Sequence, residues 1–293
     1  MGVGRLAGNR LVPGRKRVYR EPMPRISVGD VLLSYKQAGE GSDFVLIHGL
    51  GGDLHVWDSE AAVFSRHHRV LRFDVRGCGA SDKPPGPYSP ALFARDIDAL
   101  LAGLHIPAAH VLGISMGGVI AQRLALDFPA RVRSLVLVST SSEVKQHAIA
   151  MWQWLADLIE REGFDASTAD ASRAFSPAFA AAHPEVVAEI GRRNAANDPR
   201  AYAAAARAVS DYNWTEELRR VVAPTLILQG LEDQLTPPGG AVKMSRVLPR
   251  SRLLMINGAG HSLPLEQPSL FHNAVLAFLA GVDFGSQRIG GRP

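Results

Sequence analysis

The sequence predicts an α/β fold, a mostly parallel sheet flanked by helices, with a helical segment inserted after the sixth strand. Three observations carry the prediction. Short apolar runs alternate with amphipathic stretches, the pattern of strand–helix–strand crossovers in a parallel sheet. One run, Val111-Leu112, passes directly into a helical stretch through Gly113-Ile114-Ser115-Met116-Gly117. From Ser141 to about Val221 the apolar runs stop and alanine-rich amphipathic spacing replaces them, before the alternation resumes.

Taken in order, residues 26–30 and 31–35 read as two strands joined at Gly29-Asp30, a hairpin signal. Phe44-Val45-Leu46-Ile47 suits a strand buried on both faces, and it ends at His48-Gly49-Leu50-Gly51-Gly52. Residues 56–64 fit a short helix, 70–73 the next strand, and 90–104 a helix with proline at its start. The serine turn leads into a helix over 116–126, and 135–138 is the sixth strand. After the insertion come a strand over 225–228, a helix over 240–248, a strand over 252–256 and a last helix over 268–279. The expected organisation is a basic, disordered tail at 1–24, a core formed by 25–140 and 222–282, a helical cap at 141–221, and a C-terminal tail at 283–293.

At 293 residues, 46% apolar and 20% charged, the chain can bury a sizeable core. No apolar run nears the roughly 20 residues that a bilayer span requires, so no membrane span is expected. The net charge of +4 is uneven: residues 1–25 hold seven Lys/Arg against Glu21, a net of +6, which leaves −2 for the remainder. The basic character belongs to the tail, and no nucleic-acid partner is expected. The tail lacks the apolar region and cleavage site of a secretory signal. The lone Cys78 cannot form an intramolecular disulfide, which fits a reducing, cytoplasmic setting.

The turn at Ser115 carries the chemistry. A strand that becomes a helix within about one residue strains the corner and needs neighbours without side chains, which Gly113 and Gly117 supply. Such a turn pushes the hydroxyl outward and sets the Met116 N–H at a helix N-terminus, where negative charge is favoured. A serine hydroxyl also needs a base that is itself oriented by a third group. Among ten histidines, only His261 lies on a loop of small residues just past a late strand, in Asn257-Gly258-Ala259-Gly260-His261. His272 falls within the last helix, His105 and His110 flank a strand entrance, and His67 and His68 read as solvated. The orienting carboxylate is Asp233, directly after the 225–228 strand, with Glu143 as the alternative.

The chain order is thus Ser, acid, His. Together with His48-Gly49-Leu50-Gly51-Gly52, Phe73-Asp74-Val75-Arg76-Gly77-Cys78-Gly79-Ala80-Ser81, Gly113-Ile114-Ser115-Met116-Gly117-Gly118, Gly230-Leu231-Glu232-Asp233 and Gly260-His261, this order resembles the α/β-hydrolase superfamily over about residues 25–282. The resemblance implies an eight-stranded sheet, Ser115 as nucleophile, His261 as general base and then acid, and Asp233 as its orienter. It also implies an oxyanion hole from the N–H groups of Leu50 and Met116, with no cofactor and no metal. His48 is expected to brace its loop, and Asp74 and Arg76 to be structural. Cys78 stands where relatives often carry histidine and is expected to be an inert small side chain. Serine rather than aspartate at 115 disfavours the carboxylate-nucleophile chemistry of dehalogenases and epoxide hydrolases.

Such a constellation performs acyl transfer to water. The expected substrate is a small carboxylic ester or lactone, and within the superfamily the chain looks most like 3-oxoadipate enol-lactonases and related esterases. The same triad serves C–C bond hydrolases and cofactor-free perhydrolases, and some proteins of this fold are receptors that bind a small ligand without turnover; these remain as alternatives. Trp152, Trp154, Tyr212 and Trp214 are candidates either to line an apolar acyl pocket or to glue the cap to the body. Arg161, Arg173, Arg192 and Arg193 are candidates to pair with a substrate carboxylate, or form a solvated face.

Overall fold

The computed structural model describes residues 23–290 apart from residue 166. All but the last two residues of the expected tail at 1–24 lie outside the described residues. The strands are β1 (Arg25–Val28), β2 (Val31–Ala38), β3 (Ser42–Ile47), β4 (His68–Phe73), β5 (Ala109–Ile114), β6 (Val132–Val138), β7 (Thr225–Gly230) and β8 (Ser251–Ile256). They form one sheet in the order β1-β2-β4-β3-β5-β6-β7-β8. The β1–β2 hairpin is antiparallel, as is the β2–β4 pairing, and the other neighbours are parallel. The carboxyl ends of β3 to β8 therefore share one edge, where open α/β sheets hold their ligands.

The helices are α1 (Asp58–Phe64), α2 (Pro90–Gly103), α3 (Met116–Asp127), α4 (Gln146–Glu162), α5 (Pro177–Ala182), α6 (Pro184–Ala195), α7 (Pro199–Ala208), α8 (Gly239–Val247), α9 (Leu263–Glu266) and α10 (Pro268–Gly290). Side chains on a strand alternate between faces, and the core divides accordingly. Phe44 and Leu46 lie with Phe64, Phe271 and Val275 beneath α1 and α10. Val45 and Ile47 lie with Phe93, Ile97, Ile120 and Met244 beneath α2, α3 and α8. Helix starts follow local chemistry: Ser89 accepts from the Leu92 N–H ahead of Pro90, and Asp198 from the Ala201 N–H ahead of Pro199.

Between β6 and β7 the chain builds α4 to α7. The two ends of this segment run side by side, with the Val144 N–H donating to Tyr212 O at 2.9 Å and the Trp214 N–H to Ser142 O at 3.1 Å. α4 lies along α7, where Ala156 meets Ala203 and Ala206; alanine lets the two backbones approach. Arg207 of α7 bonds Asp157 at 2.6 Å and Glu160 at 2.5 Å on α4.

Two details depart from expectation. α10 continues to Gly290 instead of ending near Leu279, and Asp283 ties it to the sheet by accepting from Ser42 Oγ and His110 Nε2, each at 3.0 Å. His68, expected to be solvated, is buried at the start of β4 with its Nδ1 2.8 Å from Ser42 Oγ. Among the described residues, no helix is long and apolar enough to cross a membrane.

Candidate active site

β5 passes into α3 at Ser115, whose φ of 54° and ψ of −119° are strained for a residue with a Cβ. A Cβ on Gly113 would strike the Gly117 carbonyl, and one on Gly117 the Ile47 carbonyl, so only glycine lets this turn close. α3 opens at Met116, whose N–H is among those a helix start leaves without an intrahelical acceptor, and no side chain caps it. The Ser115 hydroxyl is half-buried and makes no hydrogen bond among the described residues.

The loop after β3 rests against this turn, with Ser115 Cβ 3.4 Å from where a Gly49 side chain would begin. His48 shapes the loop. Its Nδ1 donates to Gly49 O at 2.8 Å, and its Nε2 accepts from the Val75 N–H at 3.0 Å. Accepting at Nε2 requires the neutral ring, and burial pushes its pKa down. The ring is a brace between two loops. The Leu50 N–H has no acceptor among the described residues.

Asp233, on the loop after β7, is buried. Its Oδ1 accepts from the N–H groups of Leu235 at 2.9 Å and Thr236 at 2.8 Å, and its Oδ2 from Gln229 Nε2 at 3.0 Å. His261 Nδ1 lies 2.9 Å from Oδ2 and 3.1 Å from Oδ1. A carboxylate surrounded by donors can only accept, so Nδ1 carries a proton, and in the neutral ring the lone pair then lies on Nε2. Nε2 has no partner among the described residues. Burial pushes the Asp233 pKa up, but the His261 ring and the Thr236 donors outweigh it and hold the carboxyl below its ordinary value. Glu143 is occupied elsewhere, paired with Lys243 at 2.6 Å.

The two halves meet through β6. Thr236 Oγ1 lies 2.8 Å from Ser139 O, Thr140 Oγ1 donates to Ser115 O at 3.0 Å, and the Ser115 N–H donates to Val138 O at 3.0 Å. No hydrogen bond joins Ser115 Oγ to His261 Nε2, a contact that in many hydrolases tightens only around substrate.

The sequence profile of the alpha/beta hydrolase fold matches residues 44–268. The chain belongs to the α/β-hydrolase family. The 3-oxoadipate enol-lactonase 2 of Acinetobacter baylyi is 32% identical over 258 residues, which cover 87% of this chain and 95% of that protein. A solved enol-lactonase from Burkholderia xenovorans superposes with a TM-score of 0.83 at 28% identity, over 88% of this chain and 100% of that one. A Variovorax paradoxus protein named provisionally as a carbamate hydrolase is 30% identical over 257 residues, 85% of this chain and 97% of its own. With relatives of this kind, the chain is a hydrolase.

In this α/β-hydrolase the other candidates fall in separate places. Trp214 is buried, donates from Nε1 to Gln122 Oε1 of α3 at 3.1 Å and stacks on Tyr212 at 4.4 Å between centroids. That pair is engaged in joining the inserted segment to α3. Trp154 is 63% exposed on α4, and Trp152 is half-buried there. Arg161 pairs with Glu162, and Arg192 and Arg193 with Glu189, while Arg173 has no carboxylate partner among the described residues. Arg76 bonds both Asp96 and Asp30, and Asp74 accepts from the N–H groups of Leu54 and Ala80, both at 2.7 Å. Burial pushes the Cys78 thiol up to about 12, which disfavours the nucleophilic thiolate.

Thr236 was not singled out in the sequence, yet its Oγ1 lies 2.7 Å from Asp233 Oδ2 and 3.0 Å from His261 Nδ1. The Asx turn at Asp233 is closed by the Leu235 N–H two residues on, and nothing in that pattern marks the threonine one residue further. Glu266 escaped notice because one of its two donors, the Ser176 N–H, comes from a distant stretch, and Gln229, whose partners are all local, because it reads only as the end of an apolar strand.

Proposed function

We propose that this hydrolase cleaves a carboxylic ester or lactone through an acyl-enzyme on Ser115. The observation that carries the reading is the His261 ring, bound through Nδ1 to Asp233 with Nε2 free, on the same sheet edge as the unbonded Ser115 hydroxyl. His261 Nε2 takes the Ser115 proton as the hydroxyl attacks the substrate carbonyl, and returns it to the leaving oxygen. Water activated by the same nitrogen then releases the acid. The Leu50 and Met116 N–H groups receive the oxyanion, each worth roughly 10²–10³ in rate. Residues 141–221 act as the cap that selects substrate.

Two relatives named as enol-lactonases support this choice of bond, and the carbamate hydrolase relative points to a neighbouring one. The test is turnover of p-nitrophenyl esters of increasing chain length, of simple lactones and of aryl carbamates, with Ser115→Ala beside the wild type. Ester or lactone hydrolysis that vanishes in the variant is expected. Turnover of carbamates alone would move the assignment to that bond.

A further inference from the structure

We propose that Glu266 is a positioning residue that fixes His261 and couples it to the inserted segment, a role that rests on reading His261 as the general base. Glu266 closes α9 and is only 9% exposed. No cation pairs with it among the described residues. A buried carboxylate without a counter-ion is costly unless its oxygens are well bonded. Both are: Oε1 accepts from the Gly260 N–H and Oε2 from the Ser176 N–H, each at 2.9 Å.

The two donors come from opposite sides of the site. Gly260 immediately precedes His261, whereas Ser176 belongs to the inserted segment. On the other flank, the Ser262 N–H donates to Ala174 O at 2.8 Å. The backbone is therefore pinned on both sides of His261 by residues 174–176, once directly and once through Glu266. Nor is there slack, for a Cβ on Gly260 would lie 2.5 Å from Phe175 C and Ser176 N. The direction of His261 Nε2 thus depends on the seating of the segment that covers it.

Glu266→Gln tests the role, since glutamine keeps the volume but offers one acceptor and turns an NH₂ towards the other N–H. Turnover of a p-nitrophenyl ester is measured per active site, with sites counted by fluorophosphonate labelling carried to completion, so that unfolded protein does not enter the rate. The expected result is a kcat lower by roughly tenfold to a hundredfold, with KM within about twofold. Ser176→Pro removes the segment-side donor at a φ of −63°, which proline accepts, and is expected to lower kcat in the same way. Wild-type kcat per labelled site in both variants, beside an inactive Ser115→Ala, would overturn the role of Glu266 alone. Turnover that survives in Ser115→Ala would overturn the nucleophile reading and this proposal with it.

Discussion

Around Asp233, ionisation and hydrogen bonding work in the same direction. Its carboxyl lies below the ordinary value of 3.8 because the His261 ring and the Thr236 donors outweigh burial. A depressed carboxylate stabilises the fold fully above its unfolded value, and that contribution is lost as pH falls through the folded one. Melting temperature should therefore drop below about pH 4 by less in Asp233→Asn than in the wild type. The same variant should keep its fold at neutral pH and lose up to roughly 10⁴ in kcat, as expected when a ring loses its orienting carboxylate. Thr236→Val removes the hydroxyl beside Asp233 and should cost roughly tenfold in kcat with KM unchanged. That Ser115, Asp233 and His261 lie on turns past the ends of β5, β7 and β8 was legible in the sequence, because glycine-rich turns after apolar runs mark these places. Thr236, Glu266 and the buried His68 were not, since each owes its environment to residues that folding alone brings near.

At the scale of elements, the strand-to-helix turn depends on two close approaches of backbone. Gly117→Ala would set a methyl against the Ile47 carbonyl, and should destabilise the protein by about 1–3 kcal/mol and reduce activity with it, as read by thermal melting and ester turnover. Strands were the most legible elements, because β3, β6 and β7 are short apolar runs buried on both faces. Boundaries were less so. The stretch read as a helix from residue 56 opens instead as a 3₁₀ turn, Leu54–Trp57, where Asp53 accepts from the His55 N–H at 2.7 Å before α1 begins. α10 outran its expected end, and Asp283 beyond that end is held by groups from β3 and β5.

Across the whole molecule, the order of strands places β5, β7 and β8 so that three distant stretches converge on one edge. Arg76 secures part of that frame by clamping the β1–β2 turn at Asp30 to α2 at Asp96. Arg76→Ala leaves Asp96 buried and unpaired, and should cost about 3–5 kcal/mol in denaturant unfolding. The alternation of strands and helices announced the sheet, and the break in it announced the inserted segment. How that segment rests on the body was not legible, because each contact pairs groups far apart in sequence, most with a backbone group on one side: Asn197 Nδ2 donates to Gly51 O at 2.9 Å, the Ser262 N–H to Ala174 O, and the Ser176 N–H to Glu266 Oε2. The central claim is that Ser115 carries the acyl group. The most direct measurement is intact-mass and peptide analysis of the protein after a fluorophosphonate, followed against ester or lactone turnover. The account predicts a single adduct on Ser115, loss of turnover in proportion to labelling, and no adduct in Ser115→Ala. Full turnover with Ser115 completely labelled, or an inactivating adduct on another residue, would contradict it.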